Sequence, residues 1–319
     1  MFDIKPQSLQ YWYKNFLSDY IPDIEKKKWH PQKIEIADES TGEVIKENPI
    51  YVFKPNNLGQ NMAIDDKSIG GNGFTILSNN DTGKIALMVE STRIGELSLA
   101  MERFGESLQK VKNISMDMSA TYASVCHNFM PFAIQVIDKF HVMRYVYDAV
   151  SQVRINIKKG LTEKLSQGKK KTQEDKQILF ELELLRRVVH SLTQSPDKWS
   201  DEMENTINQI FEKHDTLKTA YQISQNFRHW YDFKNHFNPI AEISTNLNRW
   251  YEQAKQIEEF KSVTKMIRKH EDEIINYFRH GMTNAKAERL NGKIQGFVSN
   301  NYGIKNKDFI LYRIANYFS

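Results

Sequence analysis

A single cysteine in 319 residues, Cys126, excludes an internal disulfide framework and any zinc site built from several thiolates. Nowhere do about 18 apolar residues run together, which excludes a membrane-spanning helix. Residues 1–10 lack the charged and apolar segments of a signal peptide. Low-complexity tracts are missing too, and with 40% hydrophobic and 12% aromatic residues the chain has enough apolar side chain to offset its conformational entropy. The expectation is an ordered, soluble, cytoplasmic protein with no membrane partner, in which Cys126 is a small apolar core residue. The length exceeds one ordinary core and implies a large domain with an insertion, or two domains.

Net charge is only +4, but it is unevenly spread. Between residues 139 and 171, nine basic residues (Lys139, Arg144, Arg154, Lys158, Lys159, Lys164, Lys169, Lys170, Lys171) face two acids, Asp148 and Glu163, leaving −3 for the rest of the chain. A polyanion could lie along such a stretch; a solvated helix face followed by a basic loop is the competing reading.

Residues 1–60 read as an accessory region. Helical spacing of Leu9, Trp12, Tyr13, Phe16 and Leu17 is followed by a hairpin around Ser40-Thr41-Gly42, and Pro49 and Pro55 then interrupt regular structure. Residues 61–150 carry three short strands (62–68, 74–78, 84–90) joined at Gly70-Gly71-Asn72-Gly73 and Asn80-Asp81-Thr82-Gly83. A helix over 95–111, a strand at 114–118, a helix at 120–129, a strand at 133–137 and a helix from Phe140 complete the order βββ-α-β-α-β-α. Strands that alternate with helices after a meander require a mixed sheet covered by helices, an α/β fold. Residues 151–279 are helical throughout. Their Trp230, Trp250, Phe227 and Tyr231 follow helical periodicity and read as the core of that block, with base stacking as the alternative.

Three acids stand where a sheet enzyme would place them. Asp65 lies inside the first strand of the meander and Asp117 at the end of the strand 114–118; on adjacent strands, two such carboxylates could share a divalent cation. An Asp at a strand end also reads as a cap for the next helix. Asp66 rivals Asp65, but period-two alternation puts the neighbours on opposite faces. The third acid, Glu288, shares a stripe about 60° wide with Asn284, Asn291 and Gln295, beside an apolar face of Ala287, Leu290, Ile294 and Phe297, while Lys286, Arg289 and Lys293 lie opposite. Asp138 and His141 are candidates for the rim of the same site.

Ile64-Asp65-Asp66-Lys67-Ser68, Met116-Asp117-Met118-Ser119-Ala120-Thr121-Tyr122, Asp138-Lys139-Phe140-His141-Val142 and residues 283–295 occur in that order with a helical block before the last. Together they resemble the successive signatures of DDE insertion-sequence transposases of the ISL-three type, over about residues 61–319. The resemblance is greatest to the Bacteroidetes members whose transposase is split between two reading frames. It implies a ribonuclease H-like mixed sheet with flanking helices, interrupted by the helical block at 151–279 and completed by residues 280–319. It also implies a catalytic, metal-binding triad of Asp65, Asp117 and Glu288 with Asn284, Asn291, Gln295 and His141 in support.

The resemblance further implies a bacterial, nucleoid-associated enzyme that cuts DNA at insertion-sequence ends and joins them to target DNA with two Mg²⁺ ions, Mn²⁺ being able to substitute. Its partners would be double-stranded DNA, held along Lys139, Arg144, Arg154, Lys158, Lys159 and Lys169 to Lys171, and further copies of itself on DNA. Longer relatives carry a Cys-rich zinc element and a helix-turn-helix before the core; with only Cys126 here, residues 8–30 read as a remnant of the DNA-binding helices, the rest being on a separate polypeptide. The alternatives are a ribonuclease H-like nuclease that does not join strands, and an inactive DNA-binding relic.

Overall fold

The computed structural model describes residues 5–37, 44–165, 172–281, 285–300 and 306–319. The chain divides into two compact units, one formed by Met1–Asp138 with Met282–Ser319 and the other by Lys139–Gly281.

The first unit is built on a seven-stranded sheet of β1 (Gln32–Ala37), β2 (Val44–Phe53), β3 (Asn61–Ile69), β4 (Asn72–Asn79), β5 (Ile85–Val89), β6 (Asn113–Met116) and β7 (Ile134–Ile137), in the order β1-β2-β5-β4-β3-β6-β7. β3, β6 and β7 run parallel and every other pairing is antiparallel. This is the mixed sheet expected of a ribonuclease H-like core. Gly70 and Gly71 join β3 to β4 with φ of 59° and 87°, backbone angles that other residues rarely adopt, which is why the glycine pair marks the turn.

Helices cover both sheet faces. Before β1 come α1 (Pro6–Trp12) and α2 (Tyr20–Glu25); α3 (Ile94–Glu102) and α4 (Ala120–Phe129) come after the meander. Met62 and Ile64 of β3 point to α3 and α4, among Leu97, Ala100, Val125 and Cys126. Cys126 is fully buried there, and burial pushes its thiol up to about 12, so it behaves as a packing residue. Ile69 points to the other face, where Leu290 and Ile294 of α12 (Ala285–Asn300) and Leu311 and Ile314 of α13 (Lys307–Phe318) close a second core.

Among the described residues before 60, two strands extend the sheet. β2 pairs with β5 through Ile50↔Val89 and Phe53↔Leu87, so the hairpin extends the sheet, and Pro49 sits within β2 instead of ending it. Its missing N–H is no obstacle, because its carbonyl still accepts from Glu90 N at 3.1 Å. The turn expected at Ser40-Thr41-Gly42 lies outside the described residues. Tyr20 packs its ring on Phe309 and Tyr312 of α13 at 5.0 and 5.1 Å, fixing the N-terminal segment to the C-terminal helix.

A buried carboxylate ties β2 to α3. Glu96, 6% exposed, accepts from Lys46 Nζ at 2.7 Å and from Asn48 Nδ2 and Ser91 Oγ. Burial alone would raise its pKa, but the hydrogen bonds of Lys46 and Ser91 and the charges of Lys46 and Arg93 outweigh it, and the net direction is down. A depressed folded-state pKa adds stability that is complete above the unfolded value and lost as pH falls. Glu96→Gln is therefore expected to cost about 1–3 kcal/mol near neutral pH, and the melting-temperature gap to the parent should narrow as pH drops below about 4. A gap that stays constant across that range would contradict the role given to the carboxylate charge.

The second unit is helical: α5 (Lys139–Glu163), α6 (Gln173–Arg187), α7 (Asp201–Lys213), α8 (Asp215–Trp230), α9 (Ile240–Ala254), α10 (Lys261–Lys269) and α11 (Glu271–His280). Phe227, Tyr231, Trp250 and Phe278 are at most 2% exposed. Trp230 and Trp250 donate their indole N–H to the carbonyls of Ile243 and Ile223, both at 2.9 Å. The aromatics are thus the core of the block, and their faces are not available for stacking on bases.

Candidate active site

The parallel pairing of β3 with β6 ends at Ala63↔Ser115. Asp65 and Asp117 each stand two positions past that pair, and alternation returns both to its face. β6 pairs with β7 to Met116↔Ile137, and Asp138 N continues the ladder by donating to Met116 O at 2.9 Å. Asp117 and Asp138 therefore follow the C-terminal ends of β6 and β7, and Asp65 stands beside them midway along β3, just past the point where β3 stops pairing with β6. A sheet opens at such ends because the backbone ladder stops there, and crevices at carboxyl ends of strands are where open α/β sheets take ligands.

Each acid is held by its surroundings. Asp65 Oδ1 accepts from Asp66 N at 2.9 Å, and Asn291 Nδ2 of α12 donates to Asp65 Oδ2. Asp117 Oδ1 accepts from Ser119 N at 2.8 Å, an Asx-type turn that leads into α4, whose N-cap residue is Ser119 itself. Asp138 is buried, 6% exposed. Asp66, the rival of Asp65, is exposed and falls on the α3 and α4 face with Met62 and Ile64.

Sequence reasoning overlooked Tyr122. It is 2% exposed, and its hydroxyl lies 3.1 Å from Thr75 Oγ1, which itself donates to Ser91 O at 2.6 Å. Thr75 has one hydroxyl proton and gives it to Ser91, so Tyr122 must be the donor to Thr75. Burial first, and then the charges of Asp66, Asp117 and Asp65, push the phenol well above its ordinary range. A phenol this close to three carboxylates stays protonated. The available signal was a hydroxyl-bearing aromatic one turn into the helix that Asp117 introduces.

On α12, Glu288 and Gln295 are exposed and Asn291 is half-buried against Asp65, while Ala287, Leu290 and Ile294 are buried. Glu288 lies three residues before Asn291 and shares its stripe. Asn284 lies outside the described residues. His141 belongs to the helical unit, where its ring meets Phe140 edge-on at 5.5 Å. Among the described residues, no group of three or more His, Cys, Asp or Glu side chains is gathered closely enough to hold a metal ion. The donor chemistry nonetheless suits one, because Asp65 and Asp117 offer the hard oxygens that Mg²⁺ and Mn²⁺ take.

The basic stretch behaves unevenly. Arg154 is buried at 8% exposed and donates to Leu185 O at 3.2 Å; Lys139 Nζ donates to Tyr231 O, and burial lowers its pKa. Both are used inside the helical unit, because α5 must bury one side against α6 and α8 and these positions fall on it. Arg144 and Lys159 are exposed and Lys158 is half-buried. Lys169, Lys170 and Lys171 lie outside the described residues.

Among the described residues, no helix is long and apolar enough to cross a membrane. No curated protein and no solved structure matches the chain. A family model described as transposase, of the DDE ISL-three type, matches residues 62–314, which run from β3 to α13 and include all three acids. With most of its length matched and its mixed sheet in place, the chain belongs to the ISL-three-type family of DDE transposases.

Proposed function

We propose that this transposase cuts DNA at the ends of an insertion sequence and joins those ends to target DNA, with Asp65, Asp117 and Glu288 as its acids. The observation that carries the assignment is the matched position of Asp65 and Asp117 past the Ala63–Ser115 pair, with α12 docked on Asp65 through Asn291. Asp65 and Asp117 would hold a divalent ion, and Glu288 would complete the set from α12. Bound there, such an ion activates water or a 3′-hydroxyl and offsets the charge developing on the leaving 3′-oxygen.

The chain's own residues supply orientation. Asn291 holds Asp65 from the helix side and Asp66 N holds it from the strand, so its rotamer is set by two donors. Ser119 N does the same for Asp117. Tyr122, kept neutral, adds no negative charge to those of the acids. Arg144, Lys158 and Lys159 would contact phosphates from the helical unit.

The test is incubation of the purified protein with Mg²⁺ and duplex DNA carrying the inverted repeats that flank its gene. Nicked ends and strand-transfer products are the expected result. Cleavage without joined products would favour the nuclease alternative, and neither product, with DNA still bound, the inactive relic.

A further inference from the structure

The flank of α12 away from Glu288 borders a concavity in which none of the three acids takes part. A groove of about 780 Å³ runs between the β4–β5 turn, α12 and α13, entirely within the sheet unit. Lys84, Lys286, Arg289 and Lys293 line it against one acidic side chain, Asp81. All four cations are exposed, and among the described residues Lys84, Arg289 and Lys293 have no acidic partner; Lys286 Nζ donates to Asp81 O at 2.6 Å. Four cations at one surface, against a single acid, give the groove a positive potential that favours an anion between them.

The other wall is aromatic. Tyr317 is 73% exposed and stands 6.0 Å from the ring of Phe297, which also lines the groove. Gly296 of α12 also lines the groove, and a Cβ there would meet nothing within 4 Å, so the space beside it is open. A glycine inside a helix costs roughly 1 kcal/mol relative to alanine, and here a larger side chain would reach into that open space.

We propose that this groove binds a single DNA strand, its phosphates along Lys84, Lys286, Arg289 and Lys293 and an unpaired base on Tyr317. A duplex keeps its base faces inside its own stack and offers Tyr317 nothing to stack on, whereas a single strand presents a π-face at every base. The proposal rests on the transposase reading for the identity of the polyanion, and its test reads binding alone.

The probe is a fluorescein-labelled dT oligonucleotide of about 12 nucleotides, titrated with the full chain in metal-free buffer and followed by anisotropy, alongside a duplex of equal length. The triple variant Lys286→Gln/Arg289→Gln/Lys293→Gln should flatten the slope of log affinity against log salt by about 2, since each single-strand phosphate contact contributes roughly 0.7. A charge-matched variant on the helical unit, Lys218→Gln/Lys255→Gln/Lys261→Gln, should leave that slope near the parent's. Tyr317→Ala should weaken dT binding about tenfold, with Tyr317→Phe close to wild type and duplex affinity little changed. Gly296→Leu, which reaches into that open space and improves helix propensity, should weaken dT binding while leaving the melting temperature unchanged or raised. The groove assignment is overturned if the wild type does not bind dT, if both triple variants alter the slope equally, or if Tyr317→Ala weakens duplex and dT alike. Loss of dT binding in the groove variants of a protein that never cuts DNA would leave the groove standing and remove the transposition reading; normal dT binding by those variants in a protein that cuts and joins would do the reverse.

Discussion

Asp117→Asn is expected to lower Mg²⁺-dependent strand cleavage by about a hundredfold or more, while DNA affinity stays level or improves. The magnitude exceeds the 10- to 100-fold typical of residues that only support a metal ligand, because here the proposed ligand itself loses its charge. Asn retains an oxygen that can accept from Ser119 N, so the turn into α4 should form as before. Removing a negative charge from the ends of the parallel strands also lessens repulsion of incoming phosphate, which is why binding should not suffer. The check is a cleavage time course on end-containing DNA, with circular dichroism to confirm the fold. Cleavage at near wild-type rate would exclude Asp117 from the chemistry and leave it only its role in the turn before α4.

Glu288→Gln should produce a loss of the same order with an unchanged melting temperature in metal-free buffer, because Glu288 is exposed and Gln matches its size and helix propensity. Mg²⁺ should raise the parent's melting temperature more than the variant's, since a ligand stabilises the folded state according to its affinity. Two other acids earlier in the chain, Glu271 and Glu273, belong to α11 of the helical unit. Glu271 accepts from Tyr251 Oη at 3.0 Å, and its charge, after burial, helps hold that phenol protonated. Glu271→Gln should therefore disturb the packing of the helical unit and lower the melting temperature with no direct effect on the chemistry. The placement of the third acid fails if Glu288→Gln cuts normally and either Glu271→Gln or Glu273→Gln, still folded, does not.

The sequence by itself determined the order of the elements and which face of the clearest helices and strands is apolar. Glycine-rich turns marked the strand ends of the meander, alternation separated Asp65 from Asp66, and 3.6-residue periodicity placed Leu290 and Ile294 inside and Glu288 outside. Such patterns are local: each depends on which side of one element meets water. The tertiary structure decided the rest, because it depends on contacts between residues far apart in the chain. Only strand pairing could show that the hairpin before residue 60 joins the sheet at β5, or that Asp65 and Asp117 stand at matched positions past a parallel pair. Lys139 and Arg154 read as surface charges in a basic run, yet helix packing turns them inward onto Tyr231 and Leu185 carbonyls. Lys84 and Lys293 are about two hundred positions apart and neither attracts notice alone; they share a groove because α12 returns to the sheet after the whole helical unit has intervened.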